Sequence, residues 1–394
     1  MPPSTITLVE YQTRTFPADA LPQDAMRLLH FNYRQQVTVN PPTEFNRQQW
    51  ELTAQGYAGA IPLTPDLHFR LLPKVPVSNL FAMLAHTRQL DLKVLEGVVY
   101  CDTLDQFVDC VARALALGAL KRLRLGLQRE YVRSRRNSTV LRGKLHLEAA
   151  LRQPWIPELP VTADSLTLDT PGNRIIAWTL WQMARSGDWQ PETHRLIEMA
   201  SRAFRQAVPI SPLTPEECLD QTYSRLNQDY ALLHRLCYFY LAHIGPGHSA
   251  GGQEMFPFLV SMEKLFEEFV AAWLREHLPP GWTLKSQESV SEQPRRQLHF
   301  RIDMVVYDRL GKAQWVIDTK YKQAQRADSA DIQQLMAYAQ LKGCDRALLI
   351  YPAPLSPPLD TQVNGLHLRS LAFPLESDLE QSGKLLLNQL TGLI

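Results

Sequence analysis

Residues 298–322 read Leu-His-Phe-Arg-Ile-Asp-Met-Val-Val-Tyr-Asp-Arg-Leu-Gly-Lys-Ala-Gln-Trp-Val-Ile-Asp-Thr-Lys-Tyr-Lys. Two runs rich in β-branched and aromatic residues flank Asp308-Arg309-Leu310-Gly311, a turn composition, which predicts a hairpin with strands over 298–307 and 313–321. Asp303 sits inside the first apolar run, where a carboxylate is costly unless it has a partner. Asp318 and Lys320 close the second run. Side chains two apart on a strand share a face, so this acid and this ammonium project together. Two carboxylates on adjacent strands suit an oxygen-ligated Mg²⁺, which takes one or two carboxylates and fills its shell with water and substrate oxygens. A lysine beside them can orient water and stabilise developing negative charge. The competing reading is an ordinary ion pair on a solvated strand edge.

The flanking segments extend the pattern. Ser261 to His277 reads as an amphipathic helix, with Leu265, Phe266, Phe269, Val270 and Trp273 on one side and Glu267 beside that stripe. Further strands are predicted over 282–289, 347–351 and 364–372, and a helix over 329–342. Gln334 and Tyr338, four apart, fall on one face of that helix. Helix, three strands, helix, strand is an α/β sheet domain large enough for its own core.

Upstream, Gly245-Pro246-Gly247-His248-Ser249-Ala250-Gly251-Gly252 has linker composition. Residues 101–244 read as mostly helical. A helix starts at Thr103, which forms a capping box with Gln106, and its pattern persists to about Arg133. More helices are predicted over 172–187, 191–208 and 220–244. Residues 1–100 mix a strand at Thr5–Val9, a hairpin over Gly56–Leu72 and a helix over Asn79–Leu90. The expected division is therefore 1–100, a mixed α/β region; 101–244, helical; 245–252, a linker; and 253–394, the sheet domain. The fold class is α+β multidomain, with a central mixed sheet flanked by helices in the last part.

Composition bounds the function. The chain is 45% hydrophobic with a net charge of +1, so any attraction to nucleic acid must come from a local patch. The five cysteines are scattered with no C-x-x-C pair, which argues against a disulfide framework or a thiolate metal site. The start lacks a signal pattern and no run is long enough to span a bilayer, so the expectation is a reduced, cytoplasmic location and no membrane. The histidines show no ligand spacing, and no Ser or Cys nucleophile signature is present.

Taken together, a helix Glu, a strand Asp, Asp-x-Lys and a helical Gln-x-x-x-Tyr resemble the PD-(D/E)xK nuclease superfamily. More narrowly, the chain resembles the McrC family, the nuclease subunit of the McrBC modification-dependent (5-methylcytosine) restriction system. Besides the hairpin, Phe258 to Val270, Asp169 to Ile175, Leu72-Pro73-Lys74 and Leu141-Arg142-Gly143-Lys144-Leu145 match in order. The resemblance implies Asp303 and Asp318 as Mg²⁺ ligands, with Mn²⁺ as a substitute, Lys320 as catalytic lysine and Glu267 as accessory acid. Gln334 and Tyr338 would sit near the scissile strand. Ile302 stands where the proline of the superfamily's name is found, a position without chemistry. Glu263 and Glu268 are rivals to Glu267, whose choice rests on the resemblance. The family implies an McrB-like AAA+ GTPase ring as partner, which reads the methylated base and is stimulated by this chain, and double-stranded DNA as substrate. A nuclease subunit whose partner reads an unmethylated site or phage DNA, and a non-cleaving NTPase-activating adaptor, are the alternatives.

Two observations sharpen that expectation. From Lys121 to Lys144 there are nine Lys/Arg and one acid, Glu130, a local charge of +8 in a neutral chain. Arg133, Arg135, Arg136, Arg142 and Lys144 could meet DNA phosphates or a partner protein; a solvated helix end is the third option. No G-x-x-x-x-G-K-[ST] occurs, and Ser382-Gly383-Lys384-Leu385 lacks both its upstream Gly and its hydroxyl, so no nucleotide site is expected in this chain and the motor would be another polypeptide.

Overall fold

The computed structural model describes residues 4–64, 66–87, 103–185, 189–225, 227–244, 248–250, 253–255, 257–291, 299–322 and 324–391. The N-terminal region comprises β1 (Ser4–Val9), β2 (Thr13–Pro17), α1 (Gln23–Asn32), β3 (Val37–Asn40), β4 (Gln49–Ala54), β5 (Tyr57–Thr64), β6 (Leu67–Leu72) and α2 (Val77–Thr87). The expected strand at Thr5–Val9 and the Gly56–Leu72 hairpin are β1 and the antiparallel pair β5–β6. Residues 88–90 of the expected helix lie outside the described residues.

The middle region holds α3 (Leu104–Leu125), β7 (Glu130–Ser138), β8 (Lys144–Leu145), α4 (Leu147–Arg152), β9 (Leu159–Thr167), α5 (Pro171–Arg185), α6 (Pro191–Ala207) and α7 (Tyr230–His243). The Thr103 hydroxyl caps α3 by accepting from the Gln106 amide. Two expectations are corrected here. The α3 helix ends at Leu125 instead of near Arg133, because Gly126 takes φ 93° and turns the chain out of the helix. The sequence that follows pairs as a three-stranded sheet, β7–β9–β8. The last helix begins at Tyr230, not 220, since the Asn227 carboxamide accepts from the Ser224 amide and hydroxyl and ties these two residues together ahead of the helix.

The C-terminal region runs β10 (His248–Ala250), β11 (Gln253–Met255), β12 (Phe258–Ser261), α8 (Met262–His277), β13 (Thr283–Ser291), β14 (His299–Tyr307), β15 (Ala313–Thr319), α9 (Ser329–Lys342), β16 (Arg346–Tyr351), β17 (Asp360–Val363), β18 (Leu366–Ala372) and α10 (Leu379–Thr391). The mixed six-stranded sheet has the order β13-β14-β15-β16-β18-β17, with β14–β15 the expected hairpin. Met304, Val306, Trp315 and Ile317 face the core under α8, and Val305, Val316, Leu349 and Tyr351 face the core under α9.

The regions on either side of the expected boundary at 245–252 share a sheet and a core. Part of that stretch is β10, paired with β11. Beyond it, β12 leaves the C-terminal half and joins the N-terminal sheet, whose order is β1-β6-β5-β12. A side chain at Gly59 would collide with the Phe258 carbonyl, so this close approach requires glycine there. One core then runs from Leu80 and Phe107 through Phe239 to Phe269, Trp273 and Phe373.

Candidate nuclease site

The ladder between β14 and β15 ends at the pair Met304–Ile317. One step further along each strand stand Asp303 and Asp318, at the point where β15 continues alongside β16. Asp318 is 1% exposed, and neither of its carboxylate oxygens accepts a hydrogen bond. The Lys320 ammonium lies 2.9 Å from Asp318 Oδ2, an ion pair whose alignment falls short of a hydrogen bond. Asp303 Oδ2 accepts from the Thr319 amide at 3.2 Å, which fixes it against the β15 end.

The helices supply the rest. Lys320 Nζ donates to Gln334 Oε1 at 3.3 Å, and Gln334 Nε2 donates to the Tyr338 hydroxyl at 2.7 Å. Asp331, on the first turn of α9, lies 3.9 Å from Lys320 and pairs with Lys322 at 2.6 Å. From α8, Glu267 Oε1 accepts from the side chain of Gln287 on β13. The structure therefore brings together Asp303, Asp318, Lys320, Gln334 and Tyr338, with Glu267 close enough to feel both aspartates. Of its rivals, Glu268 turns to Lys264 at 3.9 Å, while Glu263 is exposed on the first turn of α8 and acts on Asp303 only through its charge.

Electrostatics mark this as a place short of positive charge. Burial first, then the neighbouring Asp303 and Glu268 charges, push Glu267 up to about 8. Burial and Asp303 push Asp318 up to about 6. Burial also raises Asp303. Burial pulls Lys320 down, but contact with Asp318 and the charges of Asp331 and Asp303 outweigh it, and the ammonium stays charged. Such shifts cluster where function needs them. Among the described residues no three of His, Cys, Asp and Glu converge as a complete metal-binding set. A buried carboxylate with a free Oδ1, beside a second carboxylate, nevertheless fits a cation that needs only one or two carboxylates.

Sequence reasoning missed Gln287. It lies between the register pairs Ser286–Met304 and Glu288–Ile302, so it faces Asp303 across the strands, with φ 54°. A left-handed glutamine in a strand is a local strain that redirects its side chain, here onto Glu267. A polar residue in a polar strand carries no sequence signal of this.

The basic residues are elsewhere. Arg133, Arg135 and Arg136 lie on β7 and Lys144 on β8, all exposed with Arg142 between them; Arg133 is paired with Asp164 at 2.9 Å. The helix-end reading holds for Lys121, Arg122 and Arg124 at the end of α3 and fails for the residues on β7 and β8. The same sheet and α4 expose large apolar side chains, among them Tyr131, Leu141, Leu147, Leu151 and Trp155, the last 76% exposed. No helix among the described residues is long and apolar enough to cross a membrane.

The family model for the McrBC 5-methylcytosine restriction system component matches residues 52–352. No curated protein matches the chain. Among solved structures, a chain of the refined half-complex from the tetradecameric assembly of Thermococcus gammatolerans McrB AAA+ hexamers with bound McrC aligns with 99% of this chain and 100% of its own. That pair has 19% identity and a TM-score of 0.60. A chain of the cryo-EM Thermococcus gammatolerans McrBC complex aligns with 70% of this chain and 88% of its own, with 21% identity and a TM-score of 0.47.

Proposed function

Since the chain belongs to the McrBC 5-methylcytosine restriction system component family, we propose that it is the DNA-cleaving subunit of an McrBC-like complex. Its C-terminal sheet domain is read as a PD-(D/E)xK nuclease. The observation that carries this reading is the buried Asp318 carboxylate, whose Oδ1 has no partner, with Asp303 on the next strand and Lys320 at 2.9 Å from Oδ2.

In this reading Asp303 and Asp318 would hold Mg²⁺, with Mn²⁺ as a substitute. The bound ion supplies a water activated for attack and neutralises charge at the scissile phosphate. Lys320, held by Gln334, orients the attacking water and stabilises the charge that builds on the phosphate oxygens. Tyr338 fixes Gln334 in turn. Glu267, with its pKa near neutrality, is suited to hold or pass a proton at the edge of the site.

The partner reading follows the family. The Thermococcus structure is an assembly of McrB AAA+ hexamers with bound McrC, and we take an AAA+ GTPase ring as this chain's partner too. That ring would supply motion and methylcytosine reading. The exposed sheet β7–β9–β8 with α4 is the surface we assign to it. Solvated phosphate contacts need no apolar side chains, whereas Trp155, Leu151 and Tyr131 left in water are the mark of a protein interface. Arg135, Arg136, Arg142 and Lys144 then add charge complementarity.

The test is reconstitution of the full chain with such a GTPase, GTP, Mg²⁺ and plasmid DNA with or without 5-methylcytosine. Cutting of methylated plasmid alone, lost with Asp303→Ala or Asp318→Ala, is expected. Cutting of unmethylated plasmid would move recognition to another signal. Stimulated GTP hydrolysis with no cutting would leave the adaptor reading.

A further inference from the structure

Glu10 is a carboxylate that is fully buried, 0% exposed, at the end of β1. Its backbone is anchored on both sides: its amide donates to Leu72 O at 2.9 Å, and it bridges to Ala54 at the end of β4. Its Oε2 accepts from the Lys74 amide at 3.1 Å and from the Tyr321 hydroxyl at 3.0 Å, while Oε1 has no partner. A carboxylate buried this deeply costs several kcal/mol before its contacts repay it, and an apolar pair in its place often packs as well or better. The N-terminal sheet keeps it nonetheless, on a residue 311 positions away in sequence.

What Tyr321 touches explains why. It directly follows Lys320, just past the end of β15. Beyond Thr319 the backbone is held by the Lys320 amide on Ile350 O at 2.9 Å and by a tight turn from the Lys322 amide to Lys320 O. The Tyr321 ring packs on Phe266, the residue before Glu267, with centroids 5.9 Å apart. One phenol thus touches the N-terminal sheet, the helix carrying Glu267 and the strand end carrying Lys320. A catalytic group must be held within about 0.5 Å by its supporting residues.

We propose that Glu10 is a positioning residue for the nuclease site: by gripping the Tyr321 hydroxyl it fixes the strand end that presents Lys320, so the N-terminal sheet sets the geometry of cleavage. This rests on the nuclease reading. The Leu72-Pro73-Lys74 segment gains a role as well, as the donor of the amide that holds Glu10 in place.

The test uses the full chain with its AAA+ partner, at saturating Mg²⁺ and GTP, in single-turnover cleavage of methylated plasmid. Tyr321→Phe keeps the ring on Phe266 and loses the hydroxyl. Its rate should fall on the order of tenfold, as for a slightly misplaced catalytic group, with KM for DNA and GTPase stimulation unchanged. Glu10→Ala should match it, and the double variant should be no slower than either single one. Glu10→Gln should recover most of the rate, because its amide oxygen still accepts the hydroxyl. Wild-type rates in Tyr321→Phe and Glu10→Ala, or losses that multiply in the double variant, would overturn the assignment. So would rate losses matched by equal losses of GTPase stimulation, the sign of a merely structural role. Lys320→Ala, run alongside, separates the two claims. If it is inactive while the others cut normally, only the positioning role fails; if it also cuts normally, the nuclease reading fails first.

Discussion

In the six-stranded sheet helices cover both faces, and Trp315, Val316, Ile317 and Leu349 are all fully buried or nearly so. In the three-stranded sheet β7 is exposed along almost its whole length, and its neighbours α4 and β9 leave Leu151, Trp155 and Leu166 in water. The physical anomaly therefore has the opposite sign in each. Where everything is apolar and covered, the odd groups are charges, Asp303 and Asp318. Where everything is wet, the odd groups are apolar. Buried acids crowded together attract a cation; an uncovered apolar surface attracts a protein. The role proposed for each sheet rests on the residue type it should not contain.

The comparison breaks most decisively at Asp318. Asp318→Asn should lower single-turnover cleavage at least 10²-fold while leaving metal-free melting temperature unchanged or raised, because it relieves the burial and Asp303 repulsion that push this carboxylate up to about 6. A variant that melts earlier and cuts normally would make Asp318 a structural residue. At the other sheet, Trp155→Ala should weaken partner affinity by about 2 kcal/mol, the scale of an interface anchor, with the melting temperature unmoved. Titration calorimetry against the AAA+ ring decides this; unchanged affinity would free that surface for another role.

A smaller effect is expected from pH. Glu267 has its folded pKa raised from 4.5 to about 8. Between those values the folded chain holds a proton that the unfolded chain has released, so stability must fall as pH rises through the window and level off above it. Scanning calorimetry without metal should show a decline between about pH 5 and 8 that Glu267→Gln flattens and that added Mg²⁺ offsets at pH 8. A flat wild-type profile would remove the charge crowding from the site. Least of all should come from Arg133→Ala: its partner Asp164 is on an exposed strand, and surface pairs contribute little. Melting temperature should not change, and only the salt dependence of partner association should.

How much of this could be read in the sequence followed from the same contrast. The β14–β15 hairpin and the Asp318–Lys320 pair were legible because a strand buried on both faces is a continuous apolar run, against which a charge stands out. The β7 strand was not. Its apolar and basic residues continued the spacing of α3, and only Gly126 signalled the stop. The short, exposed edge strand β17 and the terminal α10 left too weak a pattern to be seen. Glu10, Gln287 and Tyr321 were invisible for another reason: their roles come from contacts between elements far apart in the chain, and no local periodicity encodes such contacts.

The crossing of β12 into the N-terminal sheet has a consequence for how the molecule is made. During translation β5 emerges early, but the strand that covers its edge is Phe258–Ser261, synthesised only after the whole helical region. Until then a nascent chain carries an open strand edge, the kind of surface that pairs with the wrong neighbour. Pairing across so long a separation is also slow, since the intervening chain must be ordered before the contact repays it. A fragment ending at residue 244 would keep that edge open permanently. The two halves are thus interleaved products of one synthesis, and the cell obtains a complete N-terminal sheet only when it has already made β12 of the C-terminal half.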